Sequence, residues 1–557
     1  MKGKKILLAL LSGLLLWLSW NPNSLPFLVF FAFVPLLVIS DLLIGEKHKH
    51  SSGLAFCYGF IAFLVWNVGT TWWIFNSTGP GSIVTFILNS SFMALVFAAW
   101  HFCRRRGIPE WLQPITLISF WMSFEYLHLN WDLTWPWLNL GNVFDSCTQY
   151  VQWYEYTGTF GGTLWILVTN FLIYYTIRYF RSQRKKAIIF GSIFVVWIAI
   201  PMIISVMTYH HYKNNLKHDN PVEAIIVQHN TEAYEEQFRM SNIEHTLRIL
   251  EVAAPLVTDN TQLIVTAESS ISHTISANAL LERSYPTESY LYYGFTVLDS
   301  VIAHRPNLNF ILGLSTFETF TEEPNIVYMK REDGLYQSVH NSATCYNKYG
   351  VTDLYHKSRL VPGVEKMPFP KLFFFLEDLV INLGGPRTSL SPDTAQHAFK
   401  TTINNGTVKV GTVICYESAY GEVFSGFVKD GAQLMAVITN DAWWGDTPGY
   451  KQHFLFSRLR AVESRRTILR SSNPGISAFI DESGDVHQAT KYNTRLAIKQ
   501  NVYPNDYITF YTLHGDYLAR IAVVFAAICL LWTLLLLIIK LLQKKQVIGD
   551  KKQQGAN

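Results

Sequence analysis

The stretch from residue 408 to residue 439, VKVGTVICYESAYGEVFSGFVKDGAQLMAVIT, decides the fold class of the polar half of this chain. It has two short apolar runs rich in β-branched residues, Val408 to Ile414 and Leu434 to Thr439, on either side of a helical pattern at 418–430. Runs of this length and composition predict buried strands. A strand, a helix and a second strand in succession indicate an α/β layered domain with its chemistry at strand ends.

The same alternation extends over most of residues 208–517. Three more runs predict buried strands, and three more patterns predict helices. The strands are Val222 to Val227, Gln262 to Thr266 and Phe310 to Leu314, and the helices cover 233–257, 285–303 and 451–467. Gly-containing turns at Asp333-Gly334 and at 481–485 predict hairpins that join antiparallel strands.

The remainder of the chain is predicted to lie in a membrane. Charged residues make up 15% of the chain and are concentrated between residues 208 and 517, and a membrane span needs about 20 apolar residues. Eight apolar stretches are predicted to span the membrane, near 5–20, 24–44, 53–74, 82–103, 112–128, 162–180, 187–207 and 518–542, of which the first and the fifth are the shortest. The first also has the features of a signal peptide, but no small-residue cleavage site follows it, which favours a retained helix.

The distribution of Lys and Arg predicts the orientation. Basic residues occur in the loops at 45–52, 104–111 and 181–186 and in the tail, whereas the loops near 75–81 and 129–161 have none. Because cytoplasmic loops carry the excess of basic residues, both chain ends are predicted to be cytoplasmic. The predicted organisation is a transmembrane domain of about seven helices at 1–207, an extracytoplasmic domain at 208–517, a C-terminal transmembrane helix at 518–542 and a cytoplasmic tail at 543–557.

Charge and cysteine content argue against several function classes. The net charge of +4 is too small to indicate a nucleic-acid partner, and no basic recognition helix is present. The six cysteines form no CxxC pair and no zinc-ligand spacing, so neither a metal site nor a redox site is predicted. Cys345 is expected to lie in the middle of a hairpin strand and to pack in the core. Cys415 is expected to be a free thiol, without a disulfide bond.

Three segments of the polar domain each offer one reactive side chain. Glu268 follows one buried strand, Cys415 follows another, and Lys357 comes just before a turn marked by Pro362. A thiol becomes a nucleophile when a neighbouring base takes its proton, and a carboxylate can be that base. An ammonium group stabilises the thiolate and the oxyanion that forms at an attacked carbonyl. Together the three groups suffice for acyl transfer.

Each of these residues also has a structural interpretation. Cys415 alone is typical of a buried core thiol. Glu268 alone fits the cap of a following helix, and Lys357 alone fits a solvated surface cation. Their occurrence in one ordered pattern is what favours catalysis.

That pattern resembles the nitrilase (carbon–nitrogen hydrolase) superfamily, in which Glu, a Tyr-x-Lys-x-x-Leu-Val-Pro run and Cys-Tyr-Glu follow in this order. With membrane spans before and after, the resemblance narrows to the apolipoprotein N-acyltransferase family. Further motifs agree, namely WPWLNLG at 135–141, VQHN at 227–230, NDAWWG at 440–445 and RSSNPGIS at 470–477. The sequence departs from the family where Thr266-Ala267 precedes the glutamate, at His229 and at Gly363-Val364.

The resemblance implies a role for each matching residue. The catalytic residues would be Glu268 as general base, Lys357 as stabiliser of the tetrahedral intermediate and Cys415 as nucleophile. Glu365 would position the lysine, Tyr416 and Glu417 would support the cysteine, and Trp444 and Gly445 would form a mobile arm near the acyl-chain entrance. The apolar run Phe369 to Leu376 is either a core helix or a lid on the membrane surface.

The resemblance also implies the fold and the reaction. It implies an αββα sandwich beside a multi-span helical domain, in a bacterial inner membrane with the sandwich in the periplasm. The enzyme would transfer an acyl chain from a phospholipid, phosphatidylethanolamine by resemblance, through a thioester to the α-amine of a diacylglyceryl-cysteine at a lipoprotein N-terminus, without a cofactor. Two alternatives remain at this point: a membrane-tethered amidase in which water resolves the thioester, and a non-catalytic lipoprotein-binding protein.

Overall fold

The computed structural model describes residues 2–46, 50–214, 219–232, 236–237, 239–284, 289–369, 389–403 and 406–554, with side chains up to residue 543. A helical part comes first, a domain with two β-sheets follows, and a long helix ends the chain. Lys47 and Lys49 of the first basic loop lie outside the described residues. The same holds for the apolar run Phe369 to Leu376 beyond Phe369 itself.

The helical part is built from nine α-helices within the described residues. They are α1 Lys2–Ser19, α2 Val29–Ala32, α3 Val34–Gly45, α4 Ser51–Thr71, α5 Phe75–Thr78, α6 Gly81–Arg106, α7 Leu112–Leu129, α8 Tyr154–Tyr179 and α9 Arg184–Asn214. Short 3-10 helices occur at Pro26–Leu28, Trp72–Ile74, Leu140–Phe144 and Thr148–Tyr150.

Six helical segments of the described chain are long and apolar enough to cross a membrane. They are Pro26–Gly45, Ser51–Thr78, Gly81–Arg106, Tyr154–Tyr179, Arg184–Asn214 and Tyr517–Gln543. Each has 20 or more residues, which matches the thickness of a hydrocarbon core at 1.5 Å per residue. Six of the eight predicted spans fall on these segments, and the chain is a membrane protein.

The other two predicted spans also form helices, but these are not among the six. Helix α1 has three lysines in its first turn, and α7 contains Glu125 and His128. These polar residues lower the mean hydropathy of the helix in which they lie. Helix α1 packs against α4, and α7 packs against the C-terminal helix. Whether α1 and α7 cross the membrane stays a prediction.

The polar domain contains two β-sheets. The strands are β1 Val222–Gln228, β2 Thr261–Val265, β3 Ile271–Ser276, β4 Asn309–Phe320, β5 Met329–Lys330, β6 Tyr336–Asn347, β7 Gly350–His356, β8 Phe399–Ile403, β9 Gly406–Ile414, β10 Leu434–Thr439, β11 Ile468–Ser472, β12 Ala478–Ile480, β13 Val486–His487 and β14 Leu496–Val502. The first sheet has the order β14-β1-β2-β4-β6-β5, with β3 beside β4 and β7 beside β6, and the second has the order β13-β12-β11-β10-β9-β8.

Helices cover the outer faces of the two sheets. They are α10 Asn242–Ala253, α11 Ala277–Glu282 and α12 Tyr293–His304 at the first sheet, and α13 Gly421–Lys429 and α14 Pro448–Ser464 at the second. Side chains of β1 alternate accordingly: Ala224 and Ile226 belong to the core between the sheets, and Ile225 and Val227 to the core under α10 and α12. Two sheets between two helical layers form the predicted αββα sandwich.

Two predicted helices begin later than expected within the described residues. The pattern at 233–257 gives a helix from Asn242, because Ser241 and Glu244 form a capping box that fixes the first turn there. The pattern at 285–303 gives a helix from Tyr293, and residues 285–288 lie outside the described part. Both Gly-containing turns join antiparallel strands as predicted, β5 to β6 and β12 to β13.

The chain ends with the short helix α15, Phe510–His514, and the long helix α16, Tyr517–Gln554. Helix α15 packs against α13 and α8, and α16 packs along α7. The sandwich is therefore connected to the helical part at both of its ends, through α9 before β1 and through α16 after β14.

Candidate active site

The three predicted reactive residues meet at the ends of three strands. Cys415 directly follows β9, Lys357 directly follows β7, and Glu268 lies three residues beyond β2. The Nζ atom of Lys357 is 3.5 Å from Oε1 of Glu268. All three side chains are buried, and Cys415 is close enough to both charges for them to affect the pKa of its thiol.

Two backbone features make this approach possible. Cys415 has φ of +51°, a left-handed conformation that non-glycine residues seldom adopt outside functional sites. Gly313 of β4 lets the strand pass against the Glu268 segment, because a Cβ atom there would lie 2.8 Å from Cα of Glu268. A larger residue at position 313 would push the glutamate out of place.

Glu268 is held on both of its oxygens. Oε1 accepts a hydrogen bond from Nδ2 of Asn341 at 2.7 Å, and Oε2 accepts one from the backbone N–H of Asn440 at 2.8 Å. Carboxylate oxygens have two acceptor sites each, so the group keeps a lone pair for a proton. This arrangement fixes the direction in which Glu268 can act as a base.

Lys357 is a charged lysine despite its burial. Burial alone lowers the pKa of its ammonium group, but the carboxylates of Glu365 and Glu268 outweigh this effect and hold the pKa well above its usual value. Oε1 of Glu365 accepts from Nζ at 2.8 Å. A permanent positive charge beside Cys415 is suited to stabilising an oxyanion.

The Cys415 thiol carries its proton in the resting site. Burial raises the pKa of this thiol far above its ordinary value, the charge of Glu268 raises it further, and Lys357 opposes both. A thiol of this kind is a weak nucleophile until a base removes its proton. Glu268 is the carboxylate placed to do so.

Glu365, for which the resemblance implies a positioning role, contacts Lys357 with one oxygen and its own loop with the other. Its Oε1 contacts Lys357, and its Oε2 accepts from the backbone N–H of Val361 at 2.8 Å. Nδ2 of Asn341 lies 3.3 Å from the same Oε1. Glu365 thus connects Lys357 to the backbone of Val361 and to Asn341, the residue that orients Glu268.

Glu417 connects the cysteine strand to the lysine loop. Its Oε2 accepts from the N–H of Ile414 at 2.9 Å, and its Oε1 accepts from the O–H of Tyr355 and the N–H of Ser358, each at 2.6 Å. The residues that it binds lie within two positions of Cys415 or Lys357 in the sequence. Its contacts fit the predicted supporting role.

Tyr416 joins the site to the helical part. Its hydroxyl donates to the carbonyl of Thr134 at 2.8 Å, and its ring stacks on Trp137 with 5.9 Å between centroids. Trp137, from the WPWLNLG motif, is itself fully buried. The residue after Cys415 is therefore held by the loop that follows α7, in the helical part of the chain.

Trp444 and Gly445 form a turn at the edge of the site. The Trp444 ring contacts Trp73 and Trp137 at 4.9 and 5.8 Å between centroids, and its carbonyl accepts from Nδ2 of Asn76 at 2.9 Å. Gly445 has φ of +63°, which favours glycine. The predicted mobility of this arm stays a prediction.

An apolar cleft with a cavity volume of about 270 Å³ opens beside Cys415. One wall is a face of α6, and the other walls are the loop after α7, the loop after Lys357 and the Trp444 turn. The α6 residues are Gly81, Val84, Thr85, Leu88, Asn89 and Phe92, and the others include Leu133, Trp135, Val361, Pro362, Val364 and Tyr416. Cys415 thus faces a slot whose lining suits a hydrocarbon chain.

A buried polar network behind Cys415 was not predicted from the sequence. The ring nitrogens of His453 lie 3.0 Å from the Cys415 carbonyl and 2.8 Å from Oδ1 of Asp441, and Nη2 of Arg470 is 3.0 Å from Oδ2 of Asp441. Burial alone would raise the pKa of Asp441, but Arg470 and His453 bring it down to about 2. The family motifs contain Asp441 and Arg470, yet only the fold shows that they meet.

We expect the substitution Asp441→Asn to lower the stability of the whole protein by about 3–5 kcal/mol, because Arg470 would stay buried without its counter-charge. Asp333→Asn is the matched control, since Asp333 pairs with Arg331 on the exposed surface, where an ion pair contributes at most about 1 kcal/mol. The thermal midpoint of the detergent-solubilised chain measures both. Equal midpoints for the two variants would contradict the structural role of the network.

The six cysteines are all free. Cys345 lies inside β6 as predicted, completely buried in the core between the sheets. Burial also raises the pKa of its thiol, to about 12, and the charge of Asp353 adds to this effect. Its position is that of a packing residue.

Two family models match the chain. The model described as Apolipoprotein N-acyltransferase N-terminal domain matches residues 12–172, and the model described as Carbon-nitrogen hydrolase matches residues 227–500. Three relatives, each named apolipoprotein N-acyltransferase, align over 94% of this chain. They come from Chlorobaculum tepidum (26% identical, 96% of that protein covered), Geobacter metallireducens (25%, 94%) and Thermotoga maritima (25%, 92%).

Proposed function

Since this chain belongs to the apolipoprotein N-acyltransferase family, we propose that Cys415, Glu268 and Lys357 transfer an acyl chain from a phospholipid to the α-amine of an S-diacylglyceryl-cysteine at a lipoprotein N-terminus. The observation that carries the proposal is the burial of these three groups beside an apolar cleft that reaches α6, with the lysine 3.5 Å from the glutamate and both of their charges acting on the cysteine thiol.

In the first half-reaction, the Cys415 sulfur attacks the carbonyl carbon of a phospholipid ester while Glu268 takes the thiol proton. The ammonium group of Lys357 stabilises the oxyanion of the tetrahedral intermediate. The carbon–oxygen bond then breaks, and Glu268 returns its proton to the departing oxygen. A lysophospholipid leaves, and the acyl chain stays on Cys415 as a thioester.

In the second half-reaction, the α-amine of the lipoprotein attacks the thioester carbonyl. Lys357 again stabilises the oxyanion, and Glu268 accepts a proton from the amine nitrogen. The carbon–sulfur bond breaks, the amide forms, and the proton passes to the Cys415 sulfur. Because both substrates use the same thioester in turn, the kinetics should be ping-pong.

The cleft supports a lipid donor over a soluble amide. Val84, Leu88 and Phe92 recur along one face of a helix that is predicted to cross the membrane, so an acyl chain can extend from Cys415 along α6. We propose phosphatidylethanolamine as the donor, on the basis of the family resemblance. A soluble amide would gain nothing from an apolar slot of this kind.

The proposed topology follows from the charge pattern. Arg104, Arg105 and Arg106 end α6, and the basic tail ends α16, which fits a cytoplasmic location for both. We therefore propose a multi-pass protein of the bacterial inner membrane, with residues 1–207 and 518–542 in the membrane, residues 208–517 in the periplasm and the tail at 543–557 in the cytoplasm.

The test mixes the detergent-solubilised chain with phosphatidylethanolamine, deuterated in its acyl chains, and a synthetic diacylated lipopeptide. We expect the lipopeptide to gain the mass of one deuterated acyl group, and fragmentation to place it on the α-amine. A parallel sample with an N-acetylated lipopeptide should gain nothing. Deuterated free fatty acid with an unmodified lipopeptide would show that water resolves the thioester, and would overturn the transferase proposal.

A further inference from the structure

A second cleft, of about 390 Å³, lies on another side of the sandwich, between the loop after β7, helix α13 and the start of α16. Its lining includes Arg359, Lys429 and Arg520, with Glu422 as the one carboxylate. None of these residues lines the apolar cleft beside Cys415. The reaction proposed above gives this cleft no role.

The charges in this cleft are not balanced. Arg520 donates to Oε1 of Glu422 at 2.8 Å, so the only carboxylate of the lining is already paired. Arg359 lies over the ring of Tyr420 and makes a 3.4 Å contact with a neutral asparagine oxygen, and the exposed Lys429 has no ion pair with any residue that the structure describes. Among the residues that the structure describes, neither Arg359 nor Lys429 has an ion pair, so two cations line the cleft without a paired carboxylate.

The cleft lies where the protein enters the membrane. Its rim includes Leu513 of α15, which is 54% exposed, and Arg520 in the first turn of α16. Phe510 on the same short helix is 43% exposed, and Ile521 of α16 is 49% exposed. In the proposed topology, this short helix with exposed apolar side chains stands directly before a membrane span, which places it at the depth of the lipid headgroups.

We propose that this cleft binds a phosphate group, as the phosphodiester of an anionic phospholipid or as inorganic phosphate. The planar guanidinium of Arg359 offers paired N–H donors that match phosphate oxygens, and Lys429 adds a point charge. Basic pockets beside membrane helices attract anionic headgroups for the same reason. Because Arg359 is in the loop that begins with Lys357, a bound phosphate would tie that loop to the membrane surface.

The experiment measures binding without turnover, so its outcome is independent of the proposed reaction. The full chain carrying Cys415→Ala, in a neutral detergent, is titrated with dioleoyl phosphatidylglycerol, and bound lipid is counted by native mass spectrometry. One variant adds Arg359→Gln and Lys429→Gln. Its matched control adds Lys348→Gln and Lys400→Gln, which remove the same charge from exposed positions of the sandwich outside this cleft.

We expect the Arg359/Lys429 variant to bind phosphatidylglycerol at least about tenfold more weakly than the control variant. Dioleoylglycerol, which lacks the phosphate, should bind both variants equally. If millimolar inorganic phosphate displaces the lipid, the phosphate group alone is sufficient; if it does not, the ligand is the lipid. Equal affinities of the two variants for phosphatidylglycerol, or an equal loss of dioleoylglycerol binding, would overturn the proposal.

Discussion

Replacing Cys415 with alanine is expected to abolish acyl transfer, with a loss of at least about 10⁴-fold in rate. Without the sulfur no thioester forms. The remaining groups can only orient the amine and the ester, so any residual rate enhancement comes from binding and oxyanion stabilisation alone. The deuterated-donor assay measures this loss directly. It also follows release of the lysophospholipid, which reports the first half-reaction by itself.

Cys345→Ala is the matched control for this substitution. Both cysteines lie in the polar domain and both are buried, but Cys345 packs inside β6 in the core between the sheets. We expect Cys345→Ala to keep acyl transfer within about tenfold of the unsubstituted chain, with a modest loss of stability from the small cavity. Product formation in Cys415→Ala at a rate near that of Cys345→Ala would exclude Cys415 as the nucleophile.

Replacing Lys357 with methionine should slow the formation of the thioester by about 10³-fold. Methionine keeps the apolar stem but removes the cation to which we assign stabilisation of the oxyanion. Loss of one such donor costs about 10²–10³-fold in kcat in other acyl-transfer enzymes. A second effect adds to this loss. Glu268 and Glu365 share the Nδ2 donor of Asn341, so without the lysine their two like charges repel each other and disturb the placement of Glu268.

The measurement is a single turnover, with enzyme in excess and release of lysophospholipid as the signal. Lys366→Met is the control, because Lys366 pairs with Asp132 at 3.3 Å in the neighbouring loop and lies outside the catalytic cluster. It should stay within about tenfold of the unsubstituted chain. A Lys357→Met variant as fast as this control would mean that another group stabilises the oxyanion.

The strands that carry the site are predictable from local sequence. The runs at 408–414 and 262–266 are short, β-branched and followed closely by a polar reactive residue, and a buried strand is the structure such runs favour. Local sequence alone therefore places Cys415 and Glu268 at strand ends. The start of α10 at Asn242 can also be predicted from local sequence, because Ser241 and Glu244 form the Ser-x-x-Glu signal of a helix N-terminus.

The residues that orient the site are not predictable in the same way. Asn341 reaches Glu268 and Glu365 because β6 pairs with β4 in the register that sets Asn341 opposite Ser315, and a strand's own sequence does not fix its register. His453 lies inside a helix that the sequence predicts, but which face of that helix meets Cys415 is decided by packing between elements distant in the sequence.

Because α6 forms one wall of the cleft, the donor concentration that matters for this enzyme is the concentration within the membrane. A slot walled by a membrane helix is filled from the lipid around it, so its occupancy follows the mole fraction of donor in the bilayer or micelle and not the amount of donor per volume of buffer. Added detergent would then act as a diluent in two dimensions and slow the reaction while every bulk concentration stayed constant. Rate constants for such a site should be expressed with the donor density per unit of membrane area.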